Sequence, residues 1–93
     1  MTAMDQATVL AAWRARGFLG GLWTDAPGQV WKDFVHDVDE LMMVVEGRVE
    51  LEMCERAFVP ERGEEVLIPA RTRHTVRNIG GSTARWLYAY RRG

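Results

Sequence analysis

The sequence is short of cysteine, of excess charge and of long apolar runs, and each shortage excludes a class of protein. Cys54 is the only cysteine among the 93 residues, so an intrachain disulfide and a cysteine-rich zinc site are both excluded. With 12 basic and 13 acidic residues the net charge is -1, which provides no electrostatic attraction to nucleic acid or to an anionic membrane. No apolar run approaches the length of a membrane span, and charged residues interrupt the N-terminal segment, so no signal peptide is expected. Together these shortages predict a cytoplasmic protein.

What the sequence does contain is typical of one small folded domain. Hydrophobic residues make up 47% and charged residues 27% of the chain, and a length of 93 residues favours a single domain over 1–93. The first 17 residues are expected to form a helical extension. Within it, Asp5 is a suitable N-cap, Val9, Leu10 and Trp13 recur at helical spacing, and Gly17 ends the pattern.

The remainder, 18–93, has the pattern of an all-β fold. Short runs rich in Val, Leu, Met, Trp and Tyr alternate with turn signals, which is typical of a sandwich or barrel. The turn signals are Pro27-Gly28, Gly47, Pro60 with Gly63, Pro69, and Gly80-Gly81. The strands that they separate are expected near 30–36, 40–46, 48–54, 72–79 and 83–91.

Alternation along these strands predicts which side chains face the interior. In 30–36 it places Val30, Lys32, Phe34 and His36 on one face. In the other strands the inward residues are expected to be Val49, Leu51 and Met53, then His74, Val76 and Asn78, and finally Trp86, Tyr88 and Tyr90. Arg73 and Arg77 are expected on the outer face, with Glu50 and Glu52 as possible ion-pair partners.

Two strands have more apolar surface than one sheet face can cover. In 40–46, Met42 and Val44 share one face with Glu40, but Leu41, Met43 and Val45 on the other face are apolar too. Such a strand is normally covered on both faces. The aromatic series of 86–90 likewise favours packing against a second sheet or a second subunit. A homodimer is therefore expected.

Three polar residues occur where apolar ones are expected. His36 shares a face with Phe34, Glu40 opens an otherwise apolar strand, and His74 lies between apolar positions. A buried carboxylate or imidazole costs free energy unless it is paired or bound to a metal. Two histidines and one carboxylate suit Fe(II) with open coordination positions, and also Mn, Ni, Cu or Zn. The alternative is a hydrogen-bonded polar cluster without metal.

The spacing of these residues resembles a known pair of motifs. His36-x3-Glu40-x6-Gly47 is followed by Gly63-x5-Pro69-x4-His74-x3-Asn78. This resembles the cupin superfamily, whose first motif reads H-x-H, three or four residues, E, six residues, G. The second motif reads G, five residues, P-x-G, two residues, H, three residues, N. Seven positions match at fixed spacing, over about 29–90.

The resemblance implies a conical jelly-roll β-barrel and a divalent transition metal inside its wide end. Carried over position by position, it implies that His36, Glu40 and His74 are the metal ligands. Two positions depart from the motifs. Phe34 stands where the first histidine is expected, which leaves three ligands rather than four. Arg71 stands where the second motif usually has glycine, and it is expected to be tolerated only if its backbone avoids positive φ.

The resemblance supports several functions, because a fold does not specify one. The first hypothesis is a metal-dependent dioxygenase or isomerase that acts on a small polar molecule. The second is a non-catalytic barrel that binds a small ligand such as a sugar or metabolite, with a degenerate metal site. The third is an oligomeric domain that contributes stability only. No acid–base pair is visible besides the three ligands, so no catalytic residue is assigned from the sequence.

Overall fold

The computed structural model describes residues 5–92, which form one helix and eight strands. The helix α1 spans Gln6–Ala15. The strands are β1 (Phe18–Asp25), β2 (Val30–Phe34), β3 (Glu40–Glu46), β4 (Val49–Met53), β5 (Arg56–Phe58), β6 (Val66–Ile68), β7 (His74–Asn78) and β8 (Ala84–Arg91). The Asp5 carboxylate accepts from the N–H groups of Ala7 and Thr8, so the expected N-cap is confirmed.

The strands form two four-stranded antiparallel sheets with jelly-roll connectivity. The first sheet has the order β1-β8-β3-β6, and the second has the order β2-β7-β4-β5. The chain passes repeatedly between the two sheets, as expected for the jelly roll implied by the cupin resemblance. Among residues 5–92 no strand pairing joins the two sheets into a closed barrel, so the architecture is a two-sheet jelly roll. No helix in this range has the length and apolarity that a membrane-spanning helix requires.

The helix covers the outer face of the first sheet. Trp13 is 1% exposed and packs with Leu41 and Met43 of β3 and with Leu87 of β8. The indole N–H of Trp13 also donates to Glu65 at 2.9 Å, which ties the helix to the segment before β6. The second face of β3 is thus covered within the chain, so its apolar character does not require a partner subunit.

The inner faces of the two sheets enclose the main core. Met42, Val44, Val49, Leu51 and Val76 are buried between them, as the alternation predicted. On the outer face of the second sheet, Arg77 forms ion pairs with Glu50 at 3.1 Å and with Glu52 at 2.7 Å, which confirms the expected partners. The aromatic side chains of β8 face the interior, where they line a cavity rather than a surface.

The expected alternation of β2 is correct for Phe34 and His36, which both line the cavity, but wrong for Val30 and Lys32, because the strand contains an irregularity. The pairing of β2 with β7 shifts between Trp31 and Phe34, and Asp33 has a φ of 58°. The N–H of Asp33 donates to Thr75 Oγ1 at 3.1 Å, which holds the bulge. As a result Trp31 and Phe34 both line the cavity, Phe34 with 40% of its surface exposed, whereas Val30 and Lys32 are exposed and do not line it.

Two motif positions have clear backbone roles. Gly47 has a φ of +83°, and a Cβ there would lie 2.9 Å from Ala84 Cα, so only glycine fits this turn. Arg71 has a φ of 60°, so the expectation that it avoids the left-handed region is wrong. Its N–H donates to the carbonyl of His36 at 2.6 Å, and this hydrogen bond offsets a conformational cost of about 1–2 kcal/mol.

Replacing Trp13 by Ala tests whether α1 is an integral layer of the fold. We expect Trp13→Ala to lower the free energy of unfolding by about 3–5 kcal/mol, because it removes a large side chain that is fully buried against the first sheet. Arg14→Ala, on the exposed side of the same helix, is the control and should change it by less than about 0.5 kcal/mol. Denaturant unfolding measures both, and equal effects would show that the helix does not cover the core.

Candidate functional site

The two sheets enclose a cavity of about 300 Å³ whose walls are mostly aromatic. The aromatic lining residues are Trp23, Trp31, Phe34, Trp86, Tyr88 and Tyr90. The other lining residues are Val76 and the three residues that the sequence predicted as ligands, His36, Glu40 and His74. The cavity is therefore an aromatic chamber with a single polar cluster.

The polar cluster combines three segments that are distant in sequence. His36 lies in the loop after β2, Glu40 is the first residue of β3, and His74 is the first residue of β7. One ligand atom from each lies within 4.8 Å of the other two. The hydrogen bond from the N–H of Arg71 to His36 connects two of these segments, because Arg71 lies in the loop that leads to His74.

The carboxylate of Glu40 is the most unusual group of the cluster. It is 3% exposed, and its Oε1 is buried without a hydrogen-bond partner. This oxygen lies 3.4 Å from Nε2 of His36 and 3.7 Å from Nε2 of His74. Ligands that share one ion at about 2.0–2.2 Å lie roughly 3.0–3.5 Å apart, so the two carboxylate–imidazole distances are close to those of a common metal site. A cation would also provide the partner that Oε1 lacks.

The imidazole of His74 is held with one nitrogen directed at the cluster. Its Nδ1 lies 3.0 Å from the carbonyl oxygen of Thr72, which can only accept a hydrogen bond. Nδ1 therefore carries a proton, and Nε2 is the nitrogen that faces Glu40 Oε1 and that a bound ion would use. A hydrogen bond of this kind on the far nitrogen is what orients metal-binding histidines.

Burial controls the protonation of the cluster. It raises the pKa of Glu40 from 4.5 to about 7. Burial, and then the charge of His74, lower the pKa of His36, although the nearby Asp37 opposes this. Burial, followed by the charges of Glu40 and Tyr88, raises the pKa of Tyr90 to about 12. Near neutral pH His36 is thus neutral, as a metal ligand must be.

Phe34 occupies the place of the missing fourth ligand. It pairs with His74 across the β2–β7 ladder, and its ring stacks on that of His36 with centroids 6.2 Å apart and an interplanar angle of 19°. Asp39, which precedes Glu40 in the sequence, accepts the N–H of Ala70 at 2.7 Å and lies outside the cluster.

One functional residue was missed in the sequence, namely Asp25 at the end of β1. It is 2% exposed, and its carboxylate accepts hydrogen bonds from the indoles of Trp23, Trp31 and Trp86. An acidic residue beside a Pro-Gly turn is normally solvent-exposed, so its position carried no signal. The number of tryptophans in so short a chain, 4 in 93 residues, was the one indication that buried acceptors for indole N–H groups are needed.

Comparisons with known proteins agree with this geometry. A family model for the cupin domain, Cupin_2, matches residues 21–90. The crystal structure of TT1209 from Thermus thermophilus is 24% identical, covers 97% of both chains and has a TM-score of 0.70. A Cupin 2 conserved barrel domain protein from Salinispora arenicola is also 24% identical, covers 97% of this chain and 71% of its own, and has a TM-score of 0.74. At this identity the two structures establish the fold alone.

One curated relative is similar in sequence. A protein from Streptomyces cyaneus named polyketide synthase CurC is 33% identical over 73 residues, which cover 77% of this chain. The match covers 47% of the relative, so the chain spans about half of that protein's length.

Replacing Glu40 by Gln should stabilise the metal-free protein. The pKa of this carboxyl is 4.5 when unfolded and about 7 when folded, so between these values the folded state binds more protons. The contribution of Glu40 to the free energy of unfolding of the metal-free protein therefore falls as pH rises from 4.5 to 7, by up to about 3 kcal/mol. Glu40→Gln should remove this fall and be the more stable protein at about pH 8. Urea unfolding at about pH 5 and pH 8 in the presence of a chelator measures this, and parallel pH profiles would contradict it.

Replacing Phe34 by His should strengthen metal binding. Its position opposite His74 would place a third imidazole, and so a fourth ligand, beside the cluster, and we expect at least about a tenfold lower Kd for Zn²⁺ by calorimetry. Phe34→Leu removes the same ring without adding a ligand, and it should leave the Kd for Zn²⁺ within about twofold. An unchanged Kd in Phe34→His would show that position 34 does not face the ion.

Proposed function

The chain belongs to the cupin family, and on that premise we propose that it binds a divalent transition metal and, beside it, a flat ligand with oxygen donors at one end. The observation that carries the proposal is the unpartnered Oε1 of Glu40, buried between two imidazole nitrogens. His36, Glu40 and His74 would be the ligands. This donor set suits Fe, Mn, Ni, Cu or Zn and leaves coordination positions open.

The bound metal would act as a Lewis acid toward an oxygen of the ligand. The chain's own residues orient the metal ligands and form the walls of the cavity. The Thr72 carbonyl keeps the Nε2 lone pair of His74 directed at the cluster. The surrounding rings give the cluster apolar neighbours, which strengthens the electrostatic interactions of the buried Glu40.

The cavity walls favour an aromatic ligand over the small polar molecule expected from the sequence. Six of the ten lining residues are aromatic, and the polar groups are concentrated in one cluster. A volume of about 300 Å³ is at the small end of ligand pockets, sufficient for a compact molecule of one or two rings. A ring system stacked on the walls could place its oxygen substituents at the metal.

The curated relative points to one source of such molecules. Its name describes it as a polyketide synthase. Polyketides carry carbonyl groups at alternate carbons, and they cyclise to flat rings with neighbouring oxygens that can chelate a metal. We therefore propose a polyketide-derived ring compound as the ligand class.

Three roles were expected from the sequence: a metal-dependent enzyme, a binding barrel and an oligomeric domain that contributes stability only. The residues that line the cavity bear on the first two. The titratable groups that line the cavity are the three proposed ligands together with Tyr88 and Tyr90. The raised pKa of Tyr90, about 12, keeps it protonated and makes it a poor base. A dioxygenase or isomerase reaction in which His36, Glu40 and His74 serve as metal ligands would accordingly require the ion, whereas ligand binding to the aromatic walls would persist without it.

Metal content tests the proposed function directly. Protein purified without chelator, or reloaded with Mn²⁺ or Zn²⁺ and desalted, should hold about one ion per chain by plasma mass spectrometry. His74→Ala should lose this ion and retain the fold by circular dichroism. Cys54→Ser removes the only thiol, which is exposed, and should retain the ion. An ion-free wild type after reloading, or full retention in His74→Ala, would refute the proposed metal site.

A homodimer and a cytoplasmic location remain predictions. The apolar side chains that first suggested a partner subunit are covered within the chain. The remaining support is β1, an edge strand with Leu19 at 42% and Leu22 at 41% exposure. Sedimentation equilibrium should give twice the mass of the chain, and a monomer at micromolar concentration would refute the dimer.

A further inference from the structure

The buried carboxylate of Asp25 forms hydrogen bonds with three tryptophan side chains of the cavity wall. Oδ1 of Asp25 accepts the indole N–H of Trp23 at 2.9 Å and of Trp31 at 2.8 Å, and Oδ2 accepts that of Trp86 at 3.0 Å. All three tryptophans line the cavity. They belong to β1, β2 and β8, so the carboxylate connects strands of both sheets.

The backbone of Asp25 is itself anchored. Its carbonyl accepts from Nδ2 of Asn78 at 3.3 Å, and the carbonyl of Ala26 accepts from the same group at 3.0 Å. Asn78 also accepts the N–H of Gly80 through Oδ1 at 3.0 Å. The carboxylate therefore has a fixed position, from which it can orient the indoles.

These hydrogen bonds determine what the walls offer to a ligand. An indole has one polar hydrogen, and each of these three donates it to Asp25. What remains for the cavity is the carbon surface of the rings. Trp23 is 40% exposed, yet it is held by its N–H group and by edge contacts with Trp31 at 5.5 Å and Tyr88 at 6.2 Å between centroids.

We propose that Asp25 is the positioning residue of the ligand pocket: it fixes three indole rings as preformed walls for a planar aromatic ligand and keeps their N–H groups from bonding that ligand. The pocket then selects ring systems that carry no oxygen against the three indoles and have their chelating oxygens at the end near His36, Glu40 and His74. A sugar, which needs donors and acceptors on every side, is disfavoured. The inference rests on the proposed function for the end at which the ligand is anchored.

The variant Asp25→Asn tests whether Asp25 positions the indole rings or contributes only to the stability of the fold. An asparagine has nearly the same shape, but one of its two terminal groups is a donor, so it opposes at least one indole N–H. At least one of the three indole rings then loses the hydrogen bond that fixes its position. The matched control is Glu65→Gln, because Glu65 also accepts an indole N–H, that of Trp13, but on the outer side of the first sheet.

Two probes distinguish binding to the aromatic walls from binding to the metal. Both 1-hydroxy-2-naphthoate and acetohydroxamate chelate Zn²⁺ through two oxygens, but only the first has a ring system for the walls. We expect Asp25→Asn to weaken naphthoate binding to the Zn²⁺-loaded protein by about tenfold or more, because ordering the walls on binding costs free energy. The Kd values for acetohydroxamate and for Zn²⁺ should change by less than about twofold. Glu65→Gln should change none of the three.

Several results would overturn the inference. One is equal binding of the naphthoate by wild type and Asp25→Asn. Another is an equal loss of affinity for the naphthoate and for acetohydroxamate in Asp25→Asn. A third is a wild type that binds the naphthoate no more tightly than acetohydroxamate. If wild type binds no Zn²⁺, the proposed function fails separately. In that case 2-naphthol is titrated into metal-free wild type and metal-free Asp25→Asn. Weaker binding by Asp25→Asn would support the role of Asp25, and equal binding would refute it.

A measurement on the wild type covers the case in which Asp25→Asn does not fold. In ¹H–¹⁵N spectra the indole N–H signals of Trp23, Trp31 and Trp86 should exchange slowly with solvent. On addition of 2-naphthol their ring C–H signals should shift, whereas the N–H signals should shift much less. Rapid exchange of these N–H groups, or N–H shifts that exceed the ring shifts, would show that the donors are available to the ligand and would refute the proposal.

Discussion

The architecture of the site depends on a carboxylate that the fold cannot turn away from the cavity. Glu40 begins β3, an inner strand of its sheet, and Leu41 and Met43 on the opposite face are packed beneath α1. A shift of β3 by one residue would place Leu41 in the cavity and the carboxylate under the helix. The apolar packing therefore keeps Glu40 directed at His36 and His74, although nothing in the described chain donates to its Oε1. Such local costs are expected where function requires them.

The second buried carboxylate of the cavity shows the opposite arrangement. Asp25 is as deeply buried as Glu40, but both of its oxygens accept hydrogen bonds, from three indole N–H groups in all. Its carboxylate therefore serves to hold these neighbours in place. Oε1 of Glu40 has no such donor and lies beside two imidazole nitrogens, an arrangement that can hold a cation. The same side-chain chemistry thus separates the cavity into a region that orients rings and a region that can hold an ion.

The sequence was sufficient to predict the jelly roll and the members of the polar cluster, but not the lining of the cavity. Motif spacing located His36, Glu40 and His74, and period-two alternation oriented β4, β7 and β8 correctly. Alternation failed in β2, since the bulge at Asp33 depends on a contact with Thr75, which is 42 residues away. The role of Asp25 could not be found either, because its partners lie on three strands that only the folded chain brings together. Local patterns predict local geometry, whereas both failures depend on long-range contacts.

The bulge in β2 also connects the metal end of the cavity to its aromatic walls. A regular strand would turn Trp31 and Phe34 to opposite faces, because they are three residues apart. The bulge directs both inward, so Trp31 reaches Asp25 while Phe34 reaches the position beside His36 and His74. At that position a histidine would add a metal ligand, and phenylalanine instead extends the aromatic wall to the edge of the cluster. Under the proposed function, phenylalanine at this position lowers the affinity for the ion and adds contact with the ligand, which would be held jointly by a three-ligand metal and by stacked rings.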